Sequence, residues 1–394
     1  MKYYAAELCD RGTVAVDDMV LVKDAPATAG SRILEGFTPL FSAEAVTRLE
    51  EKGYSVSGKT HVGEFGLDLV GEFSYYQPAE GELKGAAAEL VASGAVQAAL
   101  GVDMNGAPRR AAALSGVSFL KPTYGTVSRY GVISCAASGE QLGVYAATAA
   151  GISEIMGVIA GHDEKDGTSL RQKEYDYSIE KNINGKRVAL VKELLALADD
   201  ATRARVLAFA DALKKQGVSV EEISLDWTDH ANTAWQILMT AETCNNVSRY
   251  DGVKFGHRAA EYKNIDELYV NTRTEGFNFL TKSVILYGSD VLSKNRYKDC
   301  YDKSLRVRRV IAERFEKLMA EYDAILTPVC KNTSYQPYEI RQAFGKVFEE
   351  SVFTAIPNLI GTPALSCGGV QLMGKQFSEG TLLSLAAGVE KEGN

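Results

Sequence analysis

The chain has 394 residues, 46% hydrophobic and 24% charged, with a formal net charge of −8. That balance is the balance of a globular protein with one large core or two ordinary ones, and it excludes an intrinsically disordered chain. The acidic surplus argues against a surface built mainly to grip phosphates, since nucleic-acid affinity rests on counterion release by clustered Lys and Arg. No direct nucleic-acid grip is therefore expected.

Six cysteines are scattered, with no CxxC pair and no clustering with the four histidines. This spacing offers neither a zinc site nor a disulfide framework, so reduced thiols and no metal or other cofactor are expected. The opening "MKYYAAELCDRG" lacks the apolar core of a signal peptide, and no run approaches the length of a membrane span. The expected location is cytoplasmic.

In chain order, "SAEAVTRLEEKG" (42–53) reads as a helix opening on a cap-like Ser42 and closing on Gly53, and "YSVSGKT" (54–60) as a strand. "KGAAAELVASG" (84–94) is rich in strong helix formers. "GVDMNGAPRR" (101–110) follows with a turn signal at Asn105-Gly106, both tolerant of positive φ. Pro108 biases Ala107 towards extended backbone. "GKRVALV" (185–191) and "YDAILTPVC" (322–330) read as buried strands, the second preceded by a helical "RVRRVIAERFEKLMAEY". Alternation of this kind predicts an α/β layered architecture with helices packed on a central sheet. No repeat or composition break divides the chain, so a single domain over 1–394 is expected.

The segment "ALSGVSFLKPTYGTVSRYGVISCAASGEQLG" (113–143) resembles the amidase signature family, in particular its glutamine-dependent amidotransferase A-subunit branch. The same holds, in the same order, for "LVKDAPATAGSRILEGF" (21–37), "GVIAGHDEKDGTSL" (157–170), "SRYDGVKFGHRA" (248–259), "TRTEGFN" (272–278), "YDAILTP" (322–328) and "LIGTPALSCGGVQLMGKQFSEGTLL" (359–383). The resemblance thus implies the amidase-signature fold across nearly the whole chain, a mixed central β-sheet covered by helices on both faces. It further implies fewer residues ahead of the lysine strand and a shorter turn after "LSCGG" than the branch carries.

Members of that family cleave amides with a nucleophilic Ser, a relaying second Ser and a neutral Lys base, because a hydroxyl is a poor nucleophile without an adjacent base. Carried over by the resemblance, the lysine falls on Lys23, the relay serine on Leu83 and the nucleophile on Ala107. Asp103, Gly106 and Arg109 hold their places around position 107, and no serine lies between Gly94 and Leu114. The triad is degenerate. The backbone N–H groups of Met104, Asn105, Gly106 and Ala107 offer a residual oxyanion nest, against which stands the plainer reading of a tight turn. The positions that hold glutamine's carboxylate and ammonium in that branch fall on Val284 and Ser351, neither charged. Lys23 beside Asp24 reads as an ordinary ion pair, Arg109 as a buried anchor, and the four histidines as non-catalytic.

Three functions remain open at this level. One is an inactive relative of the A-subunit branch, serving as a scaffold or regulator through self-association or contact with amidotransferase-type subunits. A second is a small-ligand binding protein using the old cleft. The third is an amidase or esterase with a relocated nucleophile at Ser134 or Cys135, although no GxSxG elbow supports it. The contents of the space around Ala107, Leu83 and Lys23 discriminate among them.

Overall fold

The computed structural model describes residues 3–76, 81–172 and 174–390. Its centre is one sheet of eleven strands, in the order β1-β3-β2-β4-β6-β5-β10-β11-β9-β7-β8. In chain order these are β1 (Tyr4–Glu7), β2 (Val14–Asp17), β3 (Val56–Thr60), β4 (Ala98–Asp103), β5 (Ser118–Lys121), β6 (Gln141–Ala146), β7 (Arg187–Val191), β8 (Ser219–Ile223), β9 (Ala324–Pro328), β10 (Ala364–Cys367) and β11 (Val370–Met373). Strand β2 runs parallel to β3 and β4, and β7 runs parallel to β8 and β9, while the middle pairings are antiparallel. The sheet is mixed, and helices flank it.

Every residue of β2, β4, β5, β6, β9, β10 and β11 is buried. Strands covered on both faces need apolar residues throughout rather than in alternation, which is why "AALGVD" and "AILTP" show no polar face. The edge strand β8 instead carries Glu221 and Glu222, and Glu221 pairs with Arg187 on β7 at 3.1 Å. Charge on an edge discourages pairing with another chain.

The segments at 54–60, 185–191 and 322–330 contain β3, β7 and β9. The helix expected at 306–322 forms as Lys303–Leu318, and the alanine-rich run forms the helix Ala86–Ala92. Ser42, however, is not a helix cap. The helix is Glu44–Glu51 with Ala43 as its uncapped first neighbour, while the Ser42 hydroxyl accepts the Lys23 N–H at 3.0 Å. A hydroxyl competed for by a nearby loop N–H is unavailable to the helix.

One buried ion pair ties the sheet to the helices behind it. Asp103 ends β4, and Arg109 lies on the helix Ala107–Ser115; both side chains are wholly buried, with Arg109 Nε 2.7 Å from Asp103 Oδ2 and Nη2 3.1 Å from Oδ1. The guanidinium also donates to Gln371 Oε1 on β11 (2.6 Å), to Asn358 Oδ1 (2.5 Å) and to the Thr354 carbonyl (3.0 Å). Burial opposes the charge on Asp103, but the Arg109 guanidinium beside it holds its carboxyl below the ordinary range. Arg109→Met should cost about 3–5 kcal/mol in urea unfolding, because it strands a buried carboxylate. Adding Asp103→Asn should recover part of that loss, and a single variant as stable as the parent would contradict the role given to the pair.

Candidate functional site

The parallel register of β2 and β4 brings Asp17 level with the end of β4, beside the turn that leads to Ala107. Ligand sites in such sheets gather at the carboxyl ends of parallel strands. Between them lies a hollow of about 30 Å³, lined by Asp17, Asp68, Ala87, Ala107, Pro108 and Tyr145 among others. That volume holds about one water molecule.

Gly106 makes the turn at φ +85°, and a Cβ there would sit 2.4 Å from the Thr354 Cβ, so only glycine fits. Its N–H donates to Asp103 Oδ1 at 3.0 Å and is thus spent inside the turn rather than offered to a ligand. The Asn105 side-chain amide donates to Ser351 Oγ at 2.8 Å, and the Asn105 backbone carbonyl accepts the Thr354 hydroxyl at 3.0 Å. Met104 and Asn105 are fully buried. Ala107 does not take the extended backbone that Pro108 favours. It is the first residue of the helix Ala107–Ser115, with the proline in the first turn where its missing N–H costs nothing.

The helices Ala86–Ala92 and Ala107–Ser115 approach so closely that a Cβ on Gly85 would lie 2.6 Å from the Ala111 Cβ. Small side chains on both permit this approach and leave the hollow its small size. Leu83 is buried in the same apolar cluster as Val70, Ala87 and Ala111, its N–H donating to the Tyr335 carbonyl at 2.8 Å. It does not line the hollow. Val284 is buried in the helix Phe279–Val291, and Ser351 is buried with its hydroxyl donating to the Val347 carbonyl at 2.5 Å. Neither lines the hollow.

Lys23 requires a correction. It is exposed and stands outside the hollow, six residues past the end of β2. The ionisable side chain that β2 delivers is Asp17, which sequence reasoning passed over. The signal was available: "TVAVDD" ends a strand on an acid, and the strand end, not the following loop, faces the turn. Asp17 accepts the Val102 N–H (3.0 Å) and the Thr60 hydroxyl (3.1 Å), yet burial raises its carboxyl to about 7. A buried amine does stand on the adjacent strand, β3. Lys59 Nζ is held by Asp18 Oδ1 at 2.9 Å and by the carbonyls of Pro26 (2.8 Å) and Asp18 (3.3 Å). Burial lowers the pKa of Lys59, with Asp18 opposing.

Asp68 and Arg110 complete the surroundings. The Asp68 carboxylate accepts the N–H groups of Gly71 (2.9 Å) and Phe73 (2.7 Å), and burial, then the neighbouring Glu72, raises it well above the ordinary range. Arg110 donates to the Leu69 carbonyl and to the Thr354 hydroxyl, both at 3.0 Å. Elsewhere, Ser134 hydrogen-bonds to Glu140, which also accepts the N–H groups of Cys135 (2.8 Å) and Ala136 (2.9 Å) and pairs with Arg129 at 3.0 Å. Glu140 is thereby a loop anchor, and burial pushes the Cys135 thiol up, away from the thiolate that attack requires.

The eleven-stranded mixed sheet flanked by helices is an amidase-signature fold, and the chain belongs to the amidase family, whose profile matches residues 13–383. Among its relatives, the A subunit of the glutamyl-tRNA(Gln) amidotransferase of Sulfurihydrogenibium sp. is 35% identical over 95% of this chain and 81% of its own length. That of Streptococcus mutans is 34% identical over 96% and 82%. Among solved structures, the corresponding protein from Thermotoga maritima superposes with a TM-score of 0.80 at 28% identity, covering 96% of this chain and 82% of that one. The peptide amidase of Stenotrophomonas maltophilia, at 21% identity and a TM-score of 0.75 over 96% of this chain and 82% of that one, shares the fold. Among the described residues no helix is long and apolar enough to cross a membrane.

The raised carboxyl of Asp17 makes stability depend on pH. The folded state keeps the proton up to about 7, whereas the unfolded carboxyl releases it near 3.8, so stability is lost as pH rises between those values. Asp17→Asn removes the charge while an amide can still accept from Val102 and donate to the Thr60 hydroxyl. Denaturant unfolding should show the variant more stable than the parent at pH 8, by an amount on the order of 1–3 kcal/mol, and the gain should shrink towards pH 4. A pH-independent difference would sink this account.

Proposed function

We propose that this chain is a catalytically inactive amidase-family protein, a single domain that works in the cytoplasm as a scaffold or regulatory component. The observation that carries this reading is the hollow beside Ala107. It holds about one water, at a volume of about 30 Å³, and its strand-end ionisable group is the carboxyl of Asp17 rather than an amine. The positions corresponding to the two serines carry Ala107 and Leu83, and the Lys59 amine is engaged by three acceptors. The small volume also weighs against a ligand in the old cleft. The anchoring of Ser134 and Cys135 by Glu140 weighs against a relocated nucleophile.

Loss of hydrolysis is directly testable. Triad knockouts in serine hydrolases lower kcat on the order of a million-fold, so glutamine, simple amides and esters should turn over at background, and a serine-directed fluorophosphonate should leave the protein unlabelled. Leu83→Ser with Ala107→Ser should not restore glutaminase activity. The new hydroxyls would meet no amine base and no room for the substrate, and misplacement by about 1 Å alone costs roughly a hundredfold. Efficient turnover by either protein would overturn the inactive reading.

Assembly is the other half of the proposal. The amidotransferase relatives are by name subunits, and two consecutive helices here, Ile265–Gly276 and Phe279–Val291, expose Ile265, Val270 and Leu286 at 54%, 63% and 72%. We expect self-association or capture of an amidotransferase-type subunit through more than about 1,000 Å² of buried surface. Light scattering after size exclusion, with pull-down against the amidotransferase subunits of the same organism, checks this. A strict monomer that captures none of them would remove the scaffold role.

A further inference from the structure

Away from the site just described, the start of the helix Thr228–Asn246 and one face of the helix Lys303–Leu318 enclose a groove of about 340 Å³. Lys303, Arg306, Val307, Val310 and Arg314 recur at spacings of three, one, three and four residues, which places them on a single helix face. Val307, Val310 and Ile311 form an apolar strip along it, with Lys303 and Arg306 at one end and Arg314 at the other. Across the groove stand Asp226, Trp227 and His230. Trp227 is 6% exposed and supplies part of the floor, whereas Val310 is 49% exposed, an apolar surface left open to solvent.

The charges on the rim are not balanced. Arg314 pairs with Asp226 at 3.2 Å, and Arg306 is held by Asp302 on the preceding turn. Lys303 forms no ion pair among the described residues, so of the three cations lining the groove it alone is left without a carboxylate partner. That one unpaired charge is opposite in sign to the chain's net charge of −8.

We propose that this groove binds a small anionic amphiphile, an aliphatic carboxylate whose chain lies along Val307, Val310 and Trp227 and whose head group meets Lys303. The chemistry follows from an apolar strip with one unpaired cation, Lys303, at its end. The volume falls at the lower end of the range of small-ligand pockets, about 300–1,000 Å³, which suits a single medium-length chain. The site is independent of the residues around Ala107 and of the inactive reading.

The chain carries two tryptophans, and Trp235 is wholly buried, so emission from Trp227 reports on the groove. Titrating the full-length protein with decanoate should change that emission saturably, and Trp227→Phe should abolish the change. By calorimetry, Lys303→Glu should weaken decanoate binding about fivefold to tenfold, and Val310→Asp by more than about tenfold. Both positions are exposed, so these variants should fold as the parent does. Decanol and decyltrimethylammonium should bind at least about tenfold more weakly than decanoate. No saturable response, equal binding of the three probes, a response that survives Trp227→Phe, or indifference to both groove variants would overturn the assignment.

Discussion

The buried contact between Asp103 and Arg109 is the constraint on which the rest of the site hangs. Five acceptor contacts converge on one guanidinium, and they come from β4, from β11 and from the segment holding Thr354 and Asn358. Asn358 in turn donates to the Asp103 carboxylate at 3.0 Å and to the Gly139 carbonyl at 3.1 Å. A desolvated charge pair is stable only when nearly every lone pair and proton is satisfied, so each of these partners fixes the others. The turn at Gly106 is a by-product of that requirement: Asp103 Oδ1 draws in its N–H, and the helix must start one residue later.

This explains how the turn keeps its shape around an alanine. The framework residues, Asp103, Gly106 and Arg109, act on one another and on the sheet, and none of their hydrogen bonds involves the side chain at 107. A methyl in place of a hydroxyl there leaves the ion pair untouched and lets two alanine-rich helices close. By contrast, Asp17 remains a liability to the fold, since its carboxyl is desolvated and answered by two hydrogen bonds rather than by an ion pair. The buried amine on the adjacent strand, Lys59, serves Asp18, which anchors the loop of Thr28 through its other oxygen.

Much of the fold was legible because it rests on local pattern. "GKRVALV", "YDAILTP" and "AAAEL" each contain residues whose propensity and burial agree, so strand and helix could be read from them directly. The identity of the turn was legible from Asn105-Gly106 for the same reason. What could not be read locally was which side chain the neighbouring strand delivers. Lys23 and Asp17 are separated by six positions in sequence, and only the parallel pairing of Val16 with Leu100 makes Asp17 the one that faces the turn. Nor could Ser42 be told from a helix cap, because its competing partner, the Lys23 N–H, comes from a loop brought near by tertiary structure.

Packing and charge therefore point the same way at the site. An enzyme that works on an amide needs a cavity large enough for the substrate and polar groups held ready at some cost in stability. Here the space is the size of a water, the two helices meet through small side chains, and the turn's N–H is consumed internally. Each of these features strengthens the framework, and it is on them that the proposed reading rests. What stays available lies at the surface, in the exposed side chains of the helices Ile265–Gly276 and Phe279–Val291 and in the basic rim of Lys303–Leu318.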